Sequence, residues 1–413
     1  MHARHSLSVA ALLLGVGCSE PNPYYDPNAA GVDAATDATT QECTTSETCP
    51  SPAPVCVERT CVQCDATHAD ACSGVTPICN VVSNTCEGCS ANADCASTAC
   101  RPDGACAAEA DVAYVKLGGG SGPCTRAAPC ATLRQGLATT KPVIKIEGVA
   151  ELSETAVTMI ARDAIILADA GALMRRSNSG PILRVTDDLT VSISGLGLGG
   201  TAGGITDAAL VASNPTELAL HHVFITGNSQ VGLKVTGGKL VMDGCIVVGN
   251  VNGGLDADAT MLDITSSMFV SNGQTGSVTA FGAVQAANVQ AGSRFAFNTI
   301  AGNTANVAKT DGIACSTALE IVSTIVHDDV TSGACTYSKS LVPPATACTG
   351  CVTGDPKFAS TNVSDPRAAD FFRLKPGSPA IAAGAPVAGI HLDIDGDPRP
   401  TTTPDIGADQ YTP

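Results

Sequence analysis

The 413-residue chain contains no tryptophan and only eight Phe and five Tyr. Sugar-binding clefts favour aromatic platforms, and their scarcity argues against one built from indole rings. Charge is sparse, at 15 %, and bases are the scarcer sign: 22 Lys and Arg against 39 Asp and Glu give a formal net charge of −17. That balance argues against nucleic acid as a partner, whose binders carry basic patches, and disfavours a direct electrostatic grip on acidic polysaccharides. There is no Gly-X-Y period, so collagen is excluded. No apolar run reaches the length of about 20 residues that spans a bilayer. What is plentiful is Gly (42), Pro (24) and Cys (20), within a chain that is 44 % hydrophobic. That apolar fraction excludes wholesale disorder, and the length allows two or three domains.

Residues 1–18 read as an export signal. Arg4, with His2 and His5, forms a short basic region before the apolar stretch Leu7 to Val16, which has signal-peptide length. The stretch runs into Gly15-Val16-Gly17-Cys18, which resembles a bacterial lipobox, with Gly15 where that pattern prefers Leu. The resemblance implies lipidation of Cys18 and attachment to a membrane through several acyl chains, each buried methylene contributing about 0.8 kcal/mol. Residues 19–42 lack apolar periodicity and read as a disordered tether. Ser19 is not the Asp that retains enterobacterial lipoproteins at the inner membrane, so the resemblance implies the outer membrane or cell surface.

Twelve cysteines over residues 43–106 fall into three groups of four: Cys43, Cys49, Cys56, Cys61; Cys64, Cys72, Cys79, Cys86; and Cys89, Cys95, Cys100, Cys106. Units this small cannot build a self-sufficient core and need covalent staples. Cys61-x-x-Cys64 and Cys86-x-x-Cys89 have zinc-ribbon spacing. Export and the in-phase recurrence of the other eight favour disulfides, with three pairings open to each module. The region resembles the Cys-rich repeats that precede catalytic or binding domains in bacterial surface lipoproteins, and its simplest function is a stiff spacer.

Beyond Cys106 a repeat emerges. Leu218-x-Leu220-x-x-Val223-x-Ile225-x-x-Asn228, Leu240-x-Met242-x-x-Cys245-x-Val247-x-x-Asn250 and Leu262-x-Ile264-x-x-Ser267-x-Phe269-x-x-Asn272 end on Asn residues 22 apart, and Asn303 continues the series after an insertion. Apolar residues two apart share one face of a strand, and the phase change between pairs marks a corner. A further short strand precedes each pair, over 210–212, 233–235, 255–257 and 283–285. Three strands per coil of about 22 residues predict a mostly β chain, a right-handed parallel β-helix over residues 110–345 preceded by the small disulfide-rich stalk. Asn228, Asn250, Asn272 and Asn303 are expected to form a structural ladder of stacked amides. A leucine-rich repeat is the rival, but the sites two residues after each Asn, Gln230, Asn252, Gln274 and Ala305, are not Leu.

Pro129 to Leu137 reads as a short helix capped by Thr132 that lids the first coil. The run Tyr114 to Cys124 before it resembles the leading segment of bacterial pectin-lyase-like β-helix proteins, and Cys124 and Cys130 are close enough to staple that loop. Residues 346–413 form a tail. Its motifs Asp355-Pro-Lys-Phe358, Phe372-Arg-Leu-Lys-Pro-Gly-Ser-Pro-Ala-Ile381, Asp393-Ile-Asp-Gly-Asp-Pro-Arg-Pro400 and Pro404-Asp-Ile-Gly-Ala-Asp409 resemble the C-terminal region of the choice-of-anchor Q family of bacterial surface β-helix proteins. That family attaches by varied sorting signals; none is visible before Pro413, so the lipobox would supply the anchor. Cys315 with Cys335, and Cys348 with Cys351, are the simplest remaining disulfide pairs, a swap staying open, while Cys245 falls on a core site as a buried thiol.

Chemistry is thinly represented. Asp187-Asp188 and Asp328-Asp329 are paired carboxylates without the accompanying basic motifs of a pectinolytic hydrolase. Asp256 and Asp258 lack the nearby Arg that a Ca²⁺-dependent lyase would need. His221 and His222 alternate on a strand, so one of them should face out. Asp393, Asp395 and Asp397 are the candidate Ca²⁺ ligands, as hard oxygen donors in a Gly-containing loop; no other cofactor is expected. Ala382 and Gln410 stand where the resembling family usually carries acids. These readings give no catalytic residue and point to a surface-anchored, non-enzymatic lipoprotein that displays its β-helix to polysaccharide or protein. A divergent carbohydrate-active enzyme, lyase or hydrolase, is the alternative. A tight cluster of outward Asp, Arg and His on adjacent coils would favour that alternative.

Overall fold

A computed structural model describes residues 42–74, 76–148, 151–176, 178–200 and 207–413. The export signal, Cys18 and nearly all of the tether therefore lie outside the described residues. The chain from Val112 onward winds into two long parallel sheets, one of 17 strands and one of eight. A representative coil contains Val231–Thr236, Lys239–Asp243 and Ile246–Val248. Each strand pairs in parallel with its counterpart one coil on, Leu218 with Leu240, Leu240 with Leu262, and Val247 with Phe269. This is a mostly β chain wound as a parallel β-helix. The helices a leucine-rich repeat would carry are missing: among the described residues the α-helix is Leu133–Ala138 alone.

The 22-residue period works because the inward residues stack. Ile144, Ile166, Ile193, Leu220, Met242, Ile264, Phe295 and Ile321 form one unbroken column, each paired in register with the next and each at most 1 % exposed. Phe269 and Phe295 stack within the core with centroids 6.2 Å apart. The corners repeat too. Left-handed backbone recurs at His222, Gly244, Ser266, Phe297 and Ser323 on one corner, and at Gly227, Gly249, Ser271, Gly302 and Asp328 on another. One such residue reverses the strand without lengthening the coil.

The second corner carries the Asn ladder. Asn228 Nδ2 donates to Asn250 Oδ1 (2.8 Å), Asn250 Nδ2 to Asn272 Oδ1 (2.9 Å) and Asn272 Nδ2 to Asn303 Oδ1 (3.1 Å). Asn303 then donates Nδ2–H and backbone N–H to the Asp329 carboxylate, at 2.7 and 2.9 Å. A second polar ladder, not anticipated from sequence, runs from Cys245 through Ser267, Asn298 and Thr324 to Ser340, each backbone N–H donating to the next side chain. Both ladders satisfy backbone groups that the dry interior would otherwise strand.

The lower end is plugged by Leu133–Ala138. Thr132 caps it, its Oγ1 accepting the Gln135 N–H while Gln135 Oε1 accepts the Thr132 N–H. Gly136 sits flush with the first coil, where a Cβ would come within 2.9 Å of Val115. The cysteine-rich stretch contains six disulfides, each module pairing its first Cys with its third and its second with its fourth: Cys43–Cys56 and Cys49–Cys61, Cys64–Cys79 and Cys72–Cys86, Cys89–Cys100 and Cys95–Cys106. Cys124–Cys130, Cys315–Cys335 and Cys348–Cys351 are also bonded, and Cys245 is a buried thiol.

The third module is more than a spacer. Its Ala99, with Ala107 just beyond it, shares an apolar cluster with Val112, Tyr114, Val143 and Leu167 of the coils. Tyr114 Oη donates to the Ser97 carbonyl at 2.9 Å, and Arg126 donates to the Ala96 carbonyl at 2.7 Å. The tail likewise lies along a flank. Phe371, Phe372, Ile394 and Ala408 cover the outward Val248, Met268, Val270 and Ala301, and the Arg399 guanidinium stacks over Phe297 at 4.3 Å.

Candidate functional site

A single outward column organises the flank between module and tail. Tyr114, Lys145, Leu167, Ser194, His221, Asp243, Thr265 and Ala296 are paired in register, one per coil, and from Ser194 onward each ends its strand. The third module covers the lower members: Tyr114 and Lys145 are fully buried and Leu167 is 1 % exposed. Buried Lys145 keeps its charge balanced by an ion pair with Asp169. The tail covers the upper members, with Ser266 Oγ donating to the Leu392 carbonyl at 3.1 Å. Between the two covers the column opens at Ser194, His221 and Asp243 into a cleft of about 730 Å³.

The cleft floor is therefore made by coils, one wall by Ser90, Asn92 and Arg101 of the third module, and the other by the tail loop with His391 and Asp395. His221 ends strand Glu217–His221, and Asp243 ends Lys239–Asp243 on the next coil. Asp243 Oδ1 accepts a hydrogen bond from Thr265 Oγ1 at 3.2 Å. Desolvation pushes the His221 imidazole below its ordinary value, His222 adds to that, and the Asp243 charge opposes it. The result is a neutral, hydrogen-bonding imidazole at neutral pH.

Both histidines line the cleft, contrary to the expectation that only one of them would face out. Strand alternation holds only while the backbone stays extended, and His222 lies in the left-handed region at φ 50°. Its ring is accommodated because Gly244 sits below: a Cβ there would lie 2.5 Å from His222 Nδ1. Arg294 forks Asp263 at 2.6 and 2.8 Å and donates to the Ala388 carbonyl at 3.1 Å, so it ties coil to tail.

The acidic motifs singled out from sequence serve elsewhere. Asp188 and Asp328 are left-handed corner residues. Asp187 accepts from Asn214 Nδ2, and Asp329 terminates the ladder. Asp256 and Asp258 form outward coil contacts, Asp256 with Lys234 at 3.7 Å and Asp258 with Asn288 at 2.9 Å. Of the candidate Ca²⁺ ligands, the structure brings Asp393 and Asp395 together with Asp409 rather than with Asp397. Asp397 instead turns its backbone N–H to Asp393 Oδ1 (2.8 Å). The residues present do not fit Ca²⁺. Asp393 accepts the N–H groups of Asp395, Asp397 and Gln410. Arg373 forks Asp395 at 2.5 and 2.6 Å, and Asp409 accepts the Leu374 N–H. Gln410 also serves the tail, its Oε1 accepting the Asp405 N–H. Burial raises Asp393 and lifts Asp409 to about 6. The cluster closes the tail upon itself.

The cleft walls were not readable from sequence, because nothing local announces that the third module docks sideways. The floor was: His221, Asp243 and Thr265 stand 22 residues apart, in step with the Asn ladder.

No family model and no curated protein matches the chain. Among solved structures it is similar to the crystal structure of pectate lyase Pel9A, with TM-score 0.43 and 13 % sequence identity over 73 % of this chain and 96 % of that one. That likeness bears on fold alone; the architecture above rests on the strand register.

Proposed function

We propose that the chain is an exported, lipid-anchored display protein that binds a polysaccharide in the cleft around His221 and Asp243 without turning it over. The observation that carries this reading is the outward column, covered by the third module below and the tail above and open only between them. The open stretch offers imidazole faces, a carboxylate and hydroxyls, donors and acceptors of mixed sign that suit the hydroxyls of a sugar polymer. Three imidazoles supply flat surfaces in a chain without indoles. Anchoring through Cys18 at the outer membrane or cell surface, and membership of the choice-of-anchor Q family, belong to the same proposal. They are supported by the leader sequence, the stapled modules and the tail motifs.

A second reading has a specific observation behind it: His221 and Asp243 stand in register on adjacent coils within one cleft, and a neutral imidazole is competent as a general base. A polysaccharide panel, with and without Ca²⁺, separates the two. Binding that weakens at least 10-fold in H221A/D243A, with no new unsaturated or reducing ends, supports the display reading. Reproducible turnover lost in the same variant establishes the enzyme instead. No binding to any member contradicts both.

A further inference from the structure

The outward column is covered from both ends, but the two covers differ in kind. The tail lays Phe371, Phe372 and Ile394 on Val248, Met268 and Val270, an apolar contact that gains by excluding water. The third module brings little apolar surface to the coils. Ala99 and, just beyond the module, Ala107 are what that side adds to the cluster with Val112, Tyr114, Val143 and Leu167. What it hides includes Lys145, which is fully buried. Taking an ammonium and its ion pair out of water carries a desolvation cost that the tail's apolar contact avoids.

The docked loop is also incompletely satisfied. Ser97 Oγ and Thr98 Oγ1 are buried without a hydrogen-bond partner, and buried hydroxyls of this kind regain partners when water enters. Thr98, a β-branched residue, has left-handed backbone at φ 51°, a conformation that is unfavourable for its type. The coil side, by contrast, keeps its partners on release. Lys145 retains its ion pair, because Asp169 lies on the coils and is 38 % exposed. Tyr114 Oη, which donates to the Ser97 carbonyl, has a second acceptor outside the module in Glu109 Oε2 at 2.7 Å. The disulfides Cys89–Cys100 and Cys95–Cys106 bracket the docking loop and hold the module's fold without the coils.

We propose that the third module is a displaceable cover: docked, it seals the lower column; released, it extends the cleft at Ser194, His221 and Asp243 downward over Leu167, Lys145 and Tyr114. The extension is in register, one residue per coil. It adds a phenol and an ammonium to the imidazoles and carboxylate already open. The tail is the fixed cover. The proposal stands on the two interfaces and needs no ligand for the cleft.

Pulsed amine acetylation of the full chain with its disulfides intact, read at Lys145 by mass spectrometry, tests it beside hydrogen exchange of the amides in strand Val143–Glu147. Release of the module alone labels Lys145 while its strand holds. The protection factor of Nζ is therefore expected to be about 100-fold or more below that of the strand amides. R126Q removes the bond to the Ala96 carbonyl without touching the module, and A99E places a charge in the contact. Each speeds acetylation of Lys145 at least 3-fold and leaves the amides of Val143–Glu147 and of the tail around Ile394 unchanged. Non-reducing peptide maps showing Cys89–Cys100 and Cys95–Cys106 intact in A99E keep unfolding of the module apart from its release. Nζ protection equal to that of the strand amides, acetylation indifferent to both variants, or a tail that opens at Ile394 as readily as Lys145 is labelled overturns the proposal.

Discussion

The cysteine modules and the coils stabilise themselves by different means within one chain. The modules bury little beyond their own disulfides; each has two staples, in the same order, around strands or turns three residues long. The coils have one internal disulfide joining adjacent turns, Cys315–Cys335, and otherwise rely on stacked apolar columns and two polar ladders. The difference teaches where each can carry function. A stapled module can be placed sideways against another surface, as the third one is, because its fold does not depend on that contact. A coil gains stability only by continuing its column, so its outward positions are the ones left free for chemistry.

Reduction should expose the contrast most sharply. With disulfides broken, residues 43–106 are expected to lose protection in hydrogen exchange, each staple being worth about 2–4 kcal/mol. The strands between Val143 and Ala301, where no disulfide is found among the described residues, should keep theirs. Equal loss in both regions would show that the coils lean on the modules.

Next in size is the ladder terminus. Burial lifts Asp329 to about 8, so the folded state holds a proton that the unfolded chain releases near the ordinary carboxylate value. Stability is therefore expected to fall as pH rises between about 4 and 8, by an amount on the order of a few kcal/mol. Asp409, lifted to about 6, contributes in the same direction over the lower part of that window. D329N should flatten the slope between pH 6 and 8 in chemical denaturation; an unchanged slope there contradicts the assignment.

Within the ladder, position matters. Asn250→Ala strands the Asn228 backbone N–H and the Ile225 carbonyl, removes one of the two bonds of Asn228 Nδ2 and one of the two to Asn272 Oδ1, and should cost about 2–4 kcal/mol in denaturant melts. Asn228→Ala, at the end of the ladder, should cost less than half as much. Equal costs would mean the amides act singly. The smallest effect is expected at the join between the two regions: Tyr114→Phe removes the bonds to Ser97 and Glu109 for about 1 kcal/mol. Proteolysis should then speed up at the third module while the coils stay intact.

These same contrasts explain what the sequence could and could not reveal. Coil period, corner residues and ladder were legible, since Leu218, Leu240 and Leu262 or Asn228, Asn250 and Asn272 repeat at a spacing that backbone geometry imposes. The lateral docking of Ala99 on Leu167, and of Phe371 on the sheet flank, joins residues far apart in the chain with no repeating pattern to betray it. The cleft shares both characters. Its floor follows the 22-residue count, but its walls depend on those two dockings, and the Asp-rich tail loop suggested a metal where Arg373 and backbone N–H groups already occupy the carboxylates.

The most direct test of the central claim is hydrogen–deuterium exchange on the full chain, with and without the panel polysaccharide that it binds. The account predicts new protection at Ser194–Gly195, His221–Asp243 and the His391–Gly396 loop. Protection confined to the first two cysteine modules or to the corner loops after Asn272 and Asn303, with none at His221–Asp243, would contradict it.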